Sequence, residues 1–202
     1  MTSAFQKAVP SVFVITSPFQ ALCAFNALKE FEITDYRFYL ALIEDVRNEQ
    51  LFRLFRQQGI AYEVVNMEKL TKIDSIKFLK PHISKYKRLF IGDSRNLLQY
   101  YIGLSRLSNG GSIVYLDDGN DNIFLLKGYK PKVRMRVRLH QLSFILACKL
   151  RSIDNHNNIY TVYGDIHNVA FNIRLNDFKQ IVNQQNNGDL RDVFFIGTNY
   201  DR

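Results

Sequence analysis

The chain of 202 residues has two cysteines, four histidines, four prolines and no tryptophan. Nowhere does it reach the roughly 18 consecutive apolar residues that a membrane-spanning helix needs. Cys23 and Cys148 both stand in apolar stretches, so they read as small buried thiols and not as a disulfide framework or a zinc site. A reducing compartment fits that usage. The opening residues MTSAFQKAVP lack a charged n-region followed by a long apolar core, which argues against secretion and for a cytoplasmic protein. His82, His140, His156 and His167 share no ligand spacing with one another or with the cysteines, so no metal is expected. Three motifs are also missing: GxGxxG after the first strand, a P-loop, and a GxSxG nucleophile elbow. Their absence removes the commonest dinucleotide, nucleoside-triphosphate and α/β-hydrolase signals.

What is present is a globular composition, 47% hydrophobic and 23% charged, enough for one large or two small domains with a core. The net charge of +8 is localised. Lys127, Lys130, Lys132, Arg134, Arg136, Arg138, Lys149 and Arg151 fall in one stretch without an acidic residue, and the rest of the chain holds 19 residues of each sign.

Hydrophobic periodicity predicts alternating strands and helices. Val12–Ile15 is a continuous β-branched and aromatic run bounded by Pro10 and Ser17-Pro18, the pattern of a central strand covered on both faces. Gln20–Phe31 has helical spacing, and Pro18 is suited to a helix entry. Strands follow at Tyr36–Ile43, Ala61–Val65, Arg88–Ile91 and Ser112–Leu116. Helices are expected at Val46–Gln58, with Gly59 as its stop, at Lys69–Leu79 and at Arg95–Leu107. Met135–Leu150 reads as a helix, Ile159–Tyr163 as a sixth strand and Phe171–Val182 as a further helix. The fold class implied is α/β, a Rossmann-like doubly wound parallel sheet. Asn183–Asp189 has a linker's composition. Val193–Gly197 then reads either as the opening strand of a second α/β domain or as the last strand of a single sheet. The expected organisation is an N-terminal domain over 1–182, with 183–202 as linker and first strand of a truncated second domain.

Ligands of open parallel sheets bind at the carboxyl ends of the strands, and polar residues collect at three such ends. Ser17 and Gln20 follow the first strand. Asp93, Ser94, Arg95 and Asn96 follow the fourth, and Asp117, Asp118 and Gly119 the fifth. Two adjacent carboxylates repel, so one should hold its proton more tightly than an isolated aspartate and suit general-base work. In extended backbone they point to opposite faces, so one can aim into a cleft while the other braces a loop. Gly119 permits the turn. Each group also has a plain structural reading: an Asp-Gly turn, and helix caps at Asp93 or Ser94 and at Thr16-Ser17.

Together, Ser17-Pro18-x-Gln20, Ile91-Gly92-Asp93-Ser94-Arg95-Asn96 and Tyr115-Leu116-Asp117-Asp118-Gly119 resemble glycosyltransferase family 52, which includes bacterial lipooligosaccharide sialyltransferases. The acidic-Asp-Gly triplet is shared with bacterial polysialyltransferases and other bacterial sialyltransferases. The resemblance covers the N-terminal half of such enzymes, whose two Rossmann-like domains face each other in the GT-B arrangement. It implies an inverting, metal-independent transfer from CMP-sialic acid to a bacterial surface glycan, with no cofactor. Asp117 would be the general base, Asp118 its supporting carboxylate and Gly119 the turn. Ser17, Gln20, Asp93, Ser94, Arg95 and Asn96 would lie toward substrate. The family's second signature, a His-Pro pair that assists phosphate departure, is absent; Pro81-His82 is the reverse order. The chain alone is therefore expected to be inactive or nearly so.

The basic stretch 127–151 suits peripheral contact with anionic headgroups, at about 1 kcal/mol per residue near the surface, or simply a solvated face. Nucleic acid is disfavoured because no recognition motif accompanies the charge. The alternative to a transferase is an inactive α/β binding module that holds an anionic glycan, a lipid surface or a partner protein.

Overall fold

The computed structural model describes residues 5–42, 47–66, 81–92, 111–117, 158–163 and 172–178. In chain order they form β1 (Ser11–Ile15), α1 (Pro18–Glu30), β2 (Tyr36–Leu42), α2 (Arg47–Gln58), β3 (Glu63–Asn66), β4 (Arg88–Ile91), β5 (Ser112–Leu116), β6 (Asn158–Thr161) and β7 (Asn172–Leu175). The strands make one seven-stranded sheet in the order β3-β2-β1-β4-β5-β6-β7. Every neighbouring pair is parallel. The chain runs outward from β1 through β2 to β3, then returns to the other side of β1 for β4. The sheet order therefore reverses between β1 and β4, which is where an open α/β sheet leaves its crevice. The fold is α/β and Rossmann-like, as the alternation in sequence implies.

β1 is buried along its whole length, as its unbroken apolar run requires. Phe13 is in register with Phe38 of β2 and Phe90 of β4. Its ring stacks on both, with centroids 4.6 and 4.4 Å away. Phe25 of α1 and Phe55 of α2 meet this ladder edge-on, Phe25 against Phe38 at 5.9 Å and Phe55 against Phe38 at 5.0 Å. Aromatic pairs of this geometry add about 0.5–1.5 kcal/mol each beyond area burial. Cys23 is a buried cysteine in the same core, in no disulfide.

Helix α2 ends as its sequence directs. Gly59 adopts φ +62°, and the bonds Gly59 N to Arg56 O and Ile60 N to Phe55 O close the end of α2. This is the left-handed stop that glycine makes cheaply. At the end of α1 the same place is taken by Glu32 at φ 50°. Its carboxylate pairs with Lys7.

One expected element is different. The sequence pattern predicts a helix over Phe171–Val182, yet within its described part Asn172–Leu175 is strand β7, parallel to β6. Phe171, Ile173 and Leu175 recur at i, i+2 and i+4, which is a strand's period, and four residues are too few for period alone to decide. Pairing decides it. Asn172 Nδ2 donates to Asn158 Oδ1 at 2.9 Å, and Arg174 Nε donates to Glu30 Oε1 at 2.7 Å. β7 is an edge strand, only four residues long and carrying Arg174, and shortness and charge are how edges avoid unwanted pairing, although Leu175 is exposed there. The helices expected at Lys69–Leu79, Arg95–Leu107 and Met135–Leu150, the basic stretch 127–151 and the segment 183–202 lie outside the described residues. Among the described residues, no helix is long and apolar enough to cross a membrane.

A buried polar network ties α1 to β6 and β7. Asn26 Nδ2 donates to Tyr160 Oη at 2.6 Å and to Asn176 Oδ1 at 2.8 Å, and the Tyr160 hydroxyl donates to Glu30 Oε2 at 2.5 Å. Burial, then the bond to Glu30 and its negative charge, push the Tyr160 hydroxyl well above the ordinary tyrosine range. A group whose pKa is raised by folding stabilises the fold below its unfolded pKa and loses that contribution as pH climbs past it. Tyr160→Phe should cost about 1–2 kcal/mol at neutral pH. In thermal melts, the difference between wild type and variant should shrink as pH rises above about 10. A difference that does not change with pH would show that the hydroxyl's protonation state is immaterial.

Candidate functional site

The carboxyl ends of β1, β4, β5 and β6 lie side by side. Ser17 leaves β1 in extended backbone and is the N-cap of α1, with Pro18 opening the first turn. Its hydroxyl oxygen accepts from Gln20 N at 3.3 Å. Gln20 reaches back in turn, its Oε1 accepting from Thr16 N at 2.9 Å and from the Thr16 hydroxyl at 3.2 Å. Ser-x-x-Gln is the reciprocal capping pattern, displaced here by one residue on the return bond. Ser17 and Gln20 thus build the helix start, the structural reading that the sequence left open for Thr16-Ser17. The spacing of Ser17 and Gln20 is itself the signal for this arrangement.

Gln20 is fully buried and its amide lies against the end of β4. A Cβ on Gly92 would fall 2.0 Å from Gln20 Nε2 and 2.3 Å from its Cδ, so Gly92 is glycine because the glutamine amide occupies the place of a side chain. No sequence signal marks that contact. Gly92→Ala must expel the amide and strip Thr16 N of its acceptor, for an expected cost of about 1–3 kcal/mol in urea unfolding. Adding Gln20→Ala should relieve the clash. The double variant is therefore expected to be less destabilised than the two single losses added together; strict additivity would show that the two residues do not press on each other.

Two strands along, at about 9–10 Å by strand spacing, Asp117 stands at the end of β5. Its side chain is fully buried, and Oδ2 accepts from Val162 N at 2.7 Å. The carboxylate therefore bridges the ends of β5 and β6 and is covered in this structure instead of facing an open hollow. The backbone amide fixes its orientation. Beside it, Thr161 is buried, and its hydroxyl oxygen accepts from Tyr163 N at 3.2 Å. Val162 and Thr161 were not singled out by sequence, because a backbone N–H leaves no trace in residue identity. Asp93, Ser94, Arg95, Asn96, Asp118 and Gly119 lie outside the described residues. Among the described residues, no group of three or more His, Cys, Asp or Glu side chains is arranged to hold a metal ion.

No family model matches this chain, and no curated protein matches it. Among solved structures, the U34-tRNA thiolase NcsA from Methanococcus maripaludis, with its 4Fe-4S cluster, is similar at a TM-score of 0.34 and 12% identity, over 93% of this chain and 69% of that one. Likeness at that level bears on no activity.

Proposed function

We propose that the chain is the acceptor-side domain of an inverting, metal-independent sialyltransferase. In this reading Asp117 takes the proton from an acceptor sugar hydroxyl as that oxygen attacks the anomeric carbon of a CMP-activated sialic acid. The observation that supports it is positional. Asp117, the first acidic residue of an acidic-Asp-Gly triplet, follows β5, the strand next to β4 and so beside the crevice between β1 and β4, and a backbone N–H holds one of its oxygens. A general base works best when preorganised, and the Val162 amide supplies that.

The chemistry also needs a group that stabilises the departing phosphate, and the His-Pro pair expected for that task is not in this sequence. The test is CMP release from CMP-sialic acid with a lipooligosaccharide acceptor. It is run on this chain alone and on a protein in which the chain continues into a second α/β domain carrying a His-Pro pair. Turnover is expected only from the two-domain protein. Inactivity of the two-domain protein across sialylated and unsialylated acceptors would remove the proposal.

The burial of Asp117 favours a second reading, a non-catalytic α/β module that binds an anionic glycan or partner and uses the carboxylate as a brace between β5 and β6. That reading is preferred if the two-domain protein binds glycan and releases no CMP.

A further inference from the structure

We propose that the crevice between β1 and β4 is an oxyanion subsite, in which the N-terminus of α1 and the Gln20 side-chain amide receive a phosphate or carboxylate group. The proposal depends on the transferase reading only for which substrate carries that group.

The first observation is an unused donor. Gln20 Oε1 must be the atom facing Thr16, because Thr16 N can only donate. Nε2 therefore points the other way, to the end of β4 beside Gly92, where it has no hydrogen-bond partner although the side chain is fully buried. An orphaned buried amide is destabilising, and an acceptor atom from outside the chain would offset that.

The second observation is the charge of the helix start. α1 runs for 13 residues and has no acidic side chain in its first turn. Reciprocal caps use glutamate or glutamine at the third helical position, and a glutamate would partly neutralise the positive end of the helix dipole. Gln20 makes its return bond, to Thr16, without adding negative charge, so the positive end keeps its attraction for an anion. Thr16 and Ser17, both half-buried, hold this helix start in place through their bonds to Gln20. A donor amide and a positive helix end, gathered where the sheet order reverses, match an oxygen-rich anion.

Two sources share this chemistry: the phosphate of a nucleotide donor and the carboxylate of an acidic sugar. The crevice and Asp117 are separated by one to two strand spacings, about 5–10 Å, so one sugar unit and its substituents can reach both.

The test uses the full chain, labelled with nitrogen-15, at low ionic strength. It is titrated with inorganic phosphate, CMP, N-acetylneuraminic acid and the uncharged N-acetylmannosamine. Saturable shifts of the Gln20 side-chain amide and of the backbone amides of Phe19 and Gln20 are expected with phosphate and with CMP or the acidic sugar, and none with the neutral sugar. Whichever of CMP and the acidic sugar binds more tightly identifies the source. Gln20→Glu retains an oxygen for Thr16 N and places a carboxylate where the donor stood, so anion affinity should fall by at least about tenfold while circular dichroism is unchanged. The subsite is overturned if Gln20 gives no saturable shift with any of the three anions, if the neutral sugar binds equally, or if Gln20→Glu binds as tightly as wild type. Should that variant not fold, the response of the wild-type Gln20 amide decides. Anion binding without CMP release from the two-domain protein would retire the transferase reading and leave the subsite standing. Release without anion binding here would retire the subsite alone.

Discussion

Replacing Arg88 with alanine is expected to destabilise the fold by about 2–5 kcal/mol, as deletion of a large buried side chain does, a large share of the 5–15 kcal/mol typical of a domain. Arg88 opens β4 at the end of the sheet opposite the crevice, and only 1% of it is exposed. Its Nε donates to the Ser11 hydroxyl oxygen at 3.0 Å, and its terminal nitrogens donate to Gln6 O at 2.8 Å and Val9 O at 3.4 Å. The guanidinium also lies over the rings of Phe31 and Phe90, 5.4 and 5.1 Å from their centres. Burial pulls its pKa down to about 10, which still leaves it protonated at neutral pH. Alanine would remove one of the largest buried side chains, take the donor from the buried Ser11 hydroxyl oxygen, and release the segment leading into β1, whose Gln6 and Val9 carbonyls the guanidinium holds. Urea unfolding should show the loss as a lower midpoint, with Arg88→Met losing less because it keeps the packing and gives up only the donors. Equal stability of wild type and Arg88→Ala would show that the guanidinium contributes nothing net to the fold.

Much of this architecture was legible in the sequence because the signals are local. The β-branched run of β1, the helical spacing through Phe25 and Leu28, and Gly59 after Gln58 each declare their element within a few residues. The alternation of strands and helices then leaves a parallel sheet as the economical solution. The error at β7 arose where locality fails, since Asn172–Leu175 becomes a strand by pairing with β6, and a four-residue edge carries too little pattern to announce that. The same limit applies to the site. Ser17 and Gln20 were legible as residues of interest, but their joint role as a helix start, with the amide of Gln20 resting on Gly92, depends on a contact between β1 and β4 that lie more than 70 residues apart. Arg88 reads in sequence as one more basic residue, and its burial follows only from Ser11 and the backbone of residues 6–9 meeting it in space.

The second large effect concerns Asp117. Asparagine at this position keeps an oxygen for Val162 N, so thermal stability should change little, whereas alanine would orphan that amide at a cost of about 1–3 kcal/mol. Catalysis should respond differently. Losing a positioned general base lowers the rate by about 10²–10⁴-fold, and asparagine cannot accept the proton. Stability retained alongside activity lost is therefore the signature that separates a base from a brace. A brace predicts that Asp117→Asn behaves as wild type in both respects.

The most direct measurement is the rate of CMP release from CMP-sialic acid by the two-domain protein, comparing wild type, Asp117→Asn and Asp118→Asn at matched folded concentration. The account predicts that Asp117→Asn loses turnover by about 10²–10⁴-fold, with a smaller loss in Asp118→Asn. Equal turnover by wild type and Asp117→Asn, or a loss confined to Asp118→Asn, would contradict it.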